Sequence, residues 1–386
     1  MIQPGTLLTD AKSQNSRFRV KSLLQEGKHY QIALGEDTQM DDKKVCLKTI
    51  DYPVDLMESA EYVQGRRLAL EAELKFLTHP SPMLPEPMDM LYLSGSPLGD
   101  LEPVLVYEYI QGDTLYDYIK KRFPRGMPPV RALAILRELV QFATDIHASG
   151  YVFRDFDPRH IIIGLDEVVQ VVGCGNAVVK GEKMNVFKMN TSLCYTAPEI
   201  RKEISGKVVR EACDTYSLGC LMSFMLTASE PRPMAEAPLD HDVYDYLRQQ
   251  IPVGYKLLIA RCLQPLAQKR FVSASEMLQY CTPETLPTPA TEGFGLVELP
   301  APWEGPEGMD NRALRSKISP GPLVSEKHKE EPVAQEQVLA TTAEDALEKP
   351  SSDRSKKKTA LIVGLIASLL LFLGLIVIGV IVAAMQ

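Results

Sequence analysis

The end of the chain carries the feature that most constrains the fold, because Ala360 to Met385 form 26 consecutive positions without a charged side chain. At about 1.5 Å per helical residue, this run exceeds the roughly 30 Å hydrocarbon core of a bilayer and predicts a tilted transmembrane helix. Three lysines, Lys356–Lys358, directly precede the run, and only Gln386 follows it. By the positive-inside rule we expect a single-pass tail anchor over 359–386, with the preceding residues in the cytoplasm.

Small residues on the predicted span permit a weak homodimer. Ala360, Gly364 and Ser368 fall on one helix face at four-residue spacing, and small residues let two helices approach closely in a membrane. Lipid packing explains the same residues equally well, so both interpretations stand.

Residues 282–358 are expected to form a linker that ends in the lysine cluster. The stretch from 282 to 355 contains 14 acidic and 7 basic side chains, and ten prolines lie between Thr282 and Pro350. No apolar periodicity survives there. Such a composition predicts a solvated tether without a packed core.

Charge and cysteine content exclude several classes of function. The net charge is -8, and no basic face dominates, so nucleic acid is not expected as a partner. The seven cysteines are scattered, without a CxxC pair or metal-ligand spacing. They are typical of reduced thiols in a cytosolic domain, and no metal site is predicted from them. Met1–Val20 lacks the apolar core of a signal peptide.

Several motifs between residues 18 and 281 resemble those of the protein kinase family. They are YVFRDFDPRHIII at 151–163, VVQVVGCGNA at 168–177, TSLCYTAPEI at 191–200, DTYSLGCLMSFML at 214–226 and RCLQPLAQKRF at 261–271. The resemblance implies an α+β, bilobal kinase-like fold. The expected boundaries are an N-terminal extension over 1–17, a small β-rich N-lobe over 18–110 and a large helical C-lobe over 111–281.

The resemblance also implies a nucleotide slot. In the hairpin LLQEGKHYQIALGED at 23–37, only Gly27 remains of three glycines that would cover the phosphates, with Gln25 and Tyr30 at the flanking positions. A side chain there obstructs the close approach of backbone amides to a phosphate. The slot itself would be lined by Ile32, Cys46, Tyr107 and Ile162. These four can hold adenine without metal, or can simply be core residues.

Three charged residues match the family's catalytic positions. Lys48 on VCLKTI would bind phosphate, and Asp155 occupies the catalytic-loop position. The helical pattern of RRLALEAELKFLTHP at 66–80 is expected to supply the glutamate that pairs with Lys48. We assign Glu71, and keep Glu73 as an alternative because Glu71 lies one residue closer than usual to the following His-Pro dipeptide.

The residues that would hold magnesium are replaced. Gly173 stands where the family has a metal-binding aspartate, His160 stands in place of an asparagine, and Asp157 in place of a lysine. Magnesium prefers oxygen ligands, so it is not expected here, and any ATP binding would be weak or metal-independent. The residues that support the fold are retained, namely Arg154, Ser192, Glu199, Asp214 and Arg270. Among these, Arg270 is expected to pair with Glu199.

Retained scaffold residues and lost metal ligands favour a membrane-anchored pseudokinase that acts as a signalling scaffold or regulatory binding module with a cytoplasmic protein partner. One alternative is an atypical active Ser/Thr kinase with a relocated metal site. The other is an adaptor that acts through its linker and anchor.

Overall fold

Strands dominate the first part of the chain and helices the remainder. The computed structural model describes residues 2–26, 30–51, 60–95, 101–182, 194–201, 208–231, 239–295 and 297–301. The predicted span, Gly27 and Ser192 lie outside these ranges. Within them, no helix is both long enough and apolar enough to cross a bilayer.

The N-lobe is an antiparallel six-stranded sheet with one helix against it. Its elements are β1 (Leu7–Thr9), β2 (Ser16–Glu26), β3 (Tyr30–Asp37), β4 (Lys43–Ile50), α1 (Ala60–Leu77), β5 (Pro87–Leu93) and β6 (Glu102–Glu108). The strand order is β1-β2-β3-β4-β6-β5. Strand β3 alternates buried and partly exposed positions, as expected where one face of a strand is covered.

The C-lobe is mainly helical. Its helices are α2 (Leu115–Arg122), α3 (Pro129–Ala148), α4 (Pro198–Arg201), α5 (Ala212–Thr227), α6 (His241–Gln250), α7 (Val253–Cys262) and α8 (Ala274–Leu278). Its short strands are β7 (Gly112–Thr114), β8 (Tyr151–Val152), β9 (Ile161–Gly164), β10 (Val169–Val171) and β11 (Val178–Val179). Every residue from Ala212 to Leu226 is buried, because α5 packs between α3 and α7 and its few polar side chains are buried with the rest.

The first residues belong to the N-lobe, which corrects the predicted N-terminal extension over 1–17. Strand β1 pairs with β2, and Ile2 and Leu8 are buried in a second apolar core. The two ends of the sheet also meet. The Ala11 amide donates to the Tyr92 carbonyl at 2.7 Å, and the Tyr92 amide donates to Asp10 at 2.8 Å. The sheet is therefore curled toward closure.

Residues 282–295 and 297–301 form a C-terminal strap on the C-lobe, which corrects the predicted start of the linker at 282. Phe294 is 1% exposed, and its ring centroid lies 5.1 Å from that of Tyr280 and 6.0 Å from that of Phe271. A Cβ at Gly254 would lie 2.8 Å from the Cβ of Leu286. The domain thus extends at least 20 residues beyond Cys281, and only a glycine on α7 leaves room for the strap.

Candidate functional site

A cleft of about 630 Å³ is lined by residues of both lobes. Of the residues predicted to bind nucleotide, Ile32, Cys46, Lys48, Tyr107 and Ile162 line this cleft, and Gly27 lies outside the described residues. Strands β3 and β4 contribute the first three, β6 contributes Tyr107, and β9 contributes Ile162. Polar groups from the catalytic loop and from residues 173–176 complete the lining.

Lys48 pairs with Glu73, so the assignment of Glu71 was wrong and the alternative is correct. The Lys48 Nζ lies 2.7 Å from a Glu73 oxygen, and both side chains are buried. Glu71 is exposed, because two residues along a helix turn a side chain by about 200°. Burial alone would lower the pKa of Lys48, but the Glu73 carboxylate outweighs it and raises that pKa. The ammonium therefore stays charged.

Asp214 at the start of α5 fixes the backbone of the catalytic loop. Its carboxylate accepts the amides of Phe153 at 2.8 Å and Arg154 at 2.7 Å, and lies 2.9 Å from Nε2 of His147. Arg154 has a positive φ of 69°, a conformation that most side chains avoid. Three hydrogen-bonding partners on one fully buried carboxylate hold this strained turn in place.

Asp155 is already engaged within the cleft. The side-chain amide of Asn176 donates to Asp155 Oδ2 at 2.7 Å, and His160 Nδ1 lies 3.1 Å from the same oxygen. The role of Asn176 was missed from the sequence, because nothing in GCGN distinguishes it from an ordinary turn residue. The carboxylate is thus compensated by two neighbours of this chain.

His160 carries a positive charge at neutral pH. Burial disfavours the imidazolium, but the carboxylates of Asp155 and Asp157 outweigh it and raise the pKa of His160 to about 9. A fixed cation therefore lies beside Asp155, in the position where the family resemblance places a metal ligand.

We expect this charge to make stability depend on pH. The folded-state pKa of His160 is about 9, against about 6.5 for an unperturbed histidine. Its contribution is therefore complete below pH ~6.5 and is lost as the pH rises through ~9. At pH 6 we expect the free energy of unfolding of the wild type to exceed that of His160→Gln by about 1–2 kcal/mol, with a correspondingly higher melting temperature. This difference should fall toward zero at pH 10. Melting curves of both proteins across this range provide the measurement, and a difference that does not change with pH would contradict the assignment.

Asp157, which stands in place of a lysine, is paired with a cation from the same turn. Its Oδ1 accepts the Arg159 amide at 2.8 Å and lies 3.3 Å from the Arg159 guanidinium. The same guanidinium donates to Glu230 at 2.7 Å. Burial opposes its charge, but Glu230 and Asp157 raise the pKa of Arg159. Arg159 lines the cleft. It lies two residues after Asp157 and supplies a positive charge in place of the lysine that Asp157 replaces.

Gly173 and His160 are sterically coupled. Gly173 has a φ of 73°, and a Cβ there would lie 3.0 Å from both Cγ and Cδ2 of the His160 ring. A side chain at residue 173 therefore requires the imidazole to move, and the two replacements form one local unit.

Glu199 and Arg270 form the predicted pair. The two terminal guanidinium nitrogens of Arg270, Nη1 and Nη2, each lie 2.8 Å from a Glu199 oxygen. Arg270 also donates to the carbonyls of Gln264, Pro265 and Ala212. This network ties α4 to α5 and to the loop before α8.

A two-lobed domain with a paired lysine and glutamate above an anchored catalytic loop defines a kinase-type cleft. The family model for the protein kinase domain matches residues 39–281, and the chain belongs to that family. This match begins after β3 and ends before the strap.

Curated relatives are bacterial Ser/Thr kinases. The chain is 26% identical over 284 residues to serine/threonine-protein kinase PknB of Mycobacterium leprae, an alignment that covers 70% of this chain and 43% of the relative. It is 28% identical over 299 residues to serine/threonine-protein kinase pkn2 of Myxococcus xanthus, covering 72% and 33%. It is 24% identical over 325 residues to the probable serine/threonine-protein kinase SCO3848 of Streptomyces coelicolor, covering 80% and 46%. The chain matches less than half of the length of each of these relatives.

Proposed function

We propose that this protein is a membrane-tethered pseudokinase, a kinase-fold binding module that holds a nucleotide without magnesium and transfers no phosphate above background. One observation carries the proposal. Asp155, the residue at the catalytic position, is compensated by the Asn176 amide at 2.7 Å and by the His160 imidazolium at 3.1 Å. Phosphoryl transfer depends on metal ions that neutralise the phosphate oxygens, and this site holds a protein cation instead.

The residues present do not fit a magnesium ion. Magnesium requires near-octahedral oxygen ligands, and Gly173 offers no side-chain oxygen. His160 is a cation with its pKa raised to about 9, so at neutral pH it repels a divalent ion. Asp155 remains as a carboxylate of the cleft floor, but it is already paired with that cation.

Three cations of the cleft, each paired with a carboxylate, can contact an anionic ligand. Lys48, Arg159 and His160 all line the cavity. Their carboxylate partners keep them charged. Opposite charges at about 4 Å attract strongly in a partly desolvated site. A phosphate can therefore be attracted to this cleft without a metal.

A second candidate function is an atypical Ser/Thr kinase. The Lys48–Glu73 pair and the loop anchored on Asp214 are intact, and the relatives named above are Ser/Thr kinases. These observations favour activity only if metal ligands come from residues other than Gly173 and His160.

A phosphotransfer assay on the full chain in detergent micelles separates the two candidates. We expect wild-type transfer to a generic protein substrate to equal that of Asp155→Asn in magnesium, in manganese and in EDTA. We also expect AMP to raise the melting temperature equally in magnesium and in EDTA. Transfer that Asp155→Asn abolishes would establish the kinase instead.

A rebuilt metal site provides the positive control for this assay. The double variant Gly173→Asp with His160→Asn places two oxygen ligands in the cleft, and it should make the nucleotide-induced shift depend on magnesium. In Gly173→Asp alone, the nucleotide-induced shift in melting temperature should depend less on magnesium, because the new Cβ would lie 3.0 Å from the His160 ring.

The membrane part of the proposal rests on the uncharged run Ala360–Met385 and the preceding Lys356–Lys358. We propose that the run anchors the chain and that the kinase-fold domain faces the cytoplasm, where it binds a protein partner. Protease digestion of sealed, cytoplasm-side-out vesicles should degrade the domain. A domain protected until detergent is added would contradict this topology.

A further inference from the structure

Tyr30 fills the end of the cleft that would receive phosphates. It is the first residue of β3, two residues before Ile32, and side chains two apart on a strand point to the same face. Both line the cavity, so the phenol points into the space above Lys48. Only 8% of Tyr30 is exposed. The ring is therefore packed in the cleft and does not extend into solvent.

The ring covers the ammonium that would bind a phosphate. Lys48 Nζ lies 4.6 Å from the centroid of the Tyr30 ring and 2.7 Å from Glu73. An ammonium over an aromatic face is attracted by the ring quadrupole. Lys48 therefore has a carboxylate as one partner and an aromatic ring as another, and a phosphate that approaches it must first displace the ring.

Arg66 on α1 is a second cation beside the Tyr30 ring. The Arg66 guanidinium carbon lies 5.9 Å from the ring centroid, and the residue is 3% exposed. Burial raises the pKa of Tyr30, and the charges of Lys48 and Arg66 oppose that rise. Burial of Tyr30 and the two cations beside its ring, Lys48 and Arg66, hold the side chain in this position. The obstruction is therefore a built part of the cleft.

We propose that Tyr30 determines which ligand the cleft accepts, restricting it to a nucleoside or nucleoside monophosphate and excluding a nucleoside triphosphate. The apolar slot of Ile32, Cys46 and Ile162 remains available for a base. Arg159 and His160 line the same cavity and can receive one phosphate, whereas a longer phosphate chain meets the ring above Lys48. This inference rests on the nucleotide-binding function proposed above.

Affinities of the full chain for adenosine, AMP and ATP, measured by titration calorimetry in EDTA, test the proposal. We expect the wild type to bind AMP at least about tenfold more tightly than ATP. Tyr30→Gly should bind ATP about tenfold more tightly than the wild type does, while its affinity for adenosine changes by less than about threefold. Tyr30→Phe keeps the ring and loses only the hydroxyl, so it should retain the preference for AMP. If Tyr30→Gly fails to fold, the affinities of the wild type and of Tyr30→Phe for AMP and ATP still test the proposal, because neither protein introduces a new glycine.

Each outcome decides a separate claim. If the wild type binds ATP as tightly as AMP, the role of Tyr30 is overturned while nucleotide binding stands. If the wild type binds no nucleotide but Tyr30→Gly binds ATP, the role of Tyr30 is supported and binding by the natural cleft is rejected. If the wild type, Tyr30→Phe and Tyr30→Gly bind no nucleotide, both claims fail.

Discussion

Arg270→Ala should lower the melting temperature of the domain by roughly 6–12 °C. The Arg270 side chain is 0% exposed and forms two 2.8 Å contacts with Glu199. Removing one partner of a buried ion pair costs about 3–5 kcal/mol. Because Glu199 is 30% exposed, we expect the loss of this pair to cost about 3 kcal/mol, the lower end of that range. In a domain somewhat smaller than this one, each kcal/mol lowers the melting temperature by about 2–4 °C.

Arg248→Ala is the matched control, since Arg248 lies on α6 of the same lobe and its side chain is exposed. Its loss should change the melting temperature by less than about 2 °C, because surface charges contribute little. Equal effects of the two substitutions would mean that the contacts of Arg270 do not stabilise the fold.

Phe294→Ala should destabilise the domain by about 3 kcal/mol, near the lower end of what removal of a buried phenylalanine costs. Phe294 is 1% exposed and packs against Phe271 and Tyr280. Truncation after Cys281 should be at least as damaging, because it also removes Leu286 and the buried Pro287. Thermal unfolding of proteins that end at residue 281 and at residue 301 makes this comparison directly.

Two further variants locate the effect in the strap. Glu292→Ala changes an exposed residue of the same segment and should be neutral. Gly254→Ala should be destabilising, although alanine in a helix is normally favoured over glycine by about 1 kcal/mol, because its Cβ would lie 2.8 Å from Leu286. A Phe294→Ala protein as stable as wild type would show that the strap does not contribute to folding.

Motif order was sufficient to predict the kinase fold, but the sequence did not determine which glutamate faces Lys48. Glu71 and Glu73 both lie on α1, and the choice between them depends on the rotation of the helix about its axis. That rotation is set by packing of α1 against β4 and against the turn Cys174–Asn176. A spacing rule counted from one dipeptide cannot determine it, whereas a 2.7 Å contact does.

The charge of the site was only partly predictable. The losses at Gly173 and His160 are visible in the sequence, but the compensation of Asp157 by Arg159 is a consequence of the turn at 157–160. In this turn the His160 amide donates to the Asp157 carbonyl, and Arg159 reaches Glu230, 71 positions later in the chain. Pairings across such distances arise from tertiary structure and have no local signal.

The two misplaced domain boundaries have a common cause. Residues 2–17 and 282–301 lack the long periodic runs that indicate helices or strands. Each is held by a few anchors, Ile2 and Leu8 at one end and Leu286 and Phe294 at the other. Isolated apolar residues in a polar or proline-rich sequence are typical of a linker. Only the folded structure shows the surface of the domain against which they pack.

The near-closure of the N-lobe sheet limits how this lobe can recognise another protein. An exposed strand edge can add a strand from a partner through backbone hydrogen bonds. Here the Tyr92 carbonyl on β5 is used by Ala11 and the Tyr92 amide by Asp10. At this point of the described sheet the outer edge is occupied by the chain itself. A partner that docks on this part of the N-lobe must therefore be selected by side-chain shape and charge, and not by extension of the sheet.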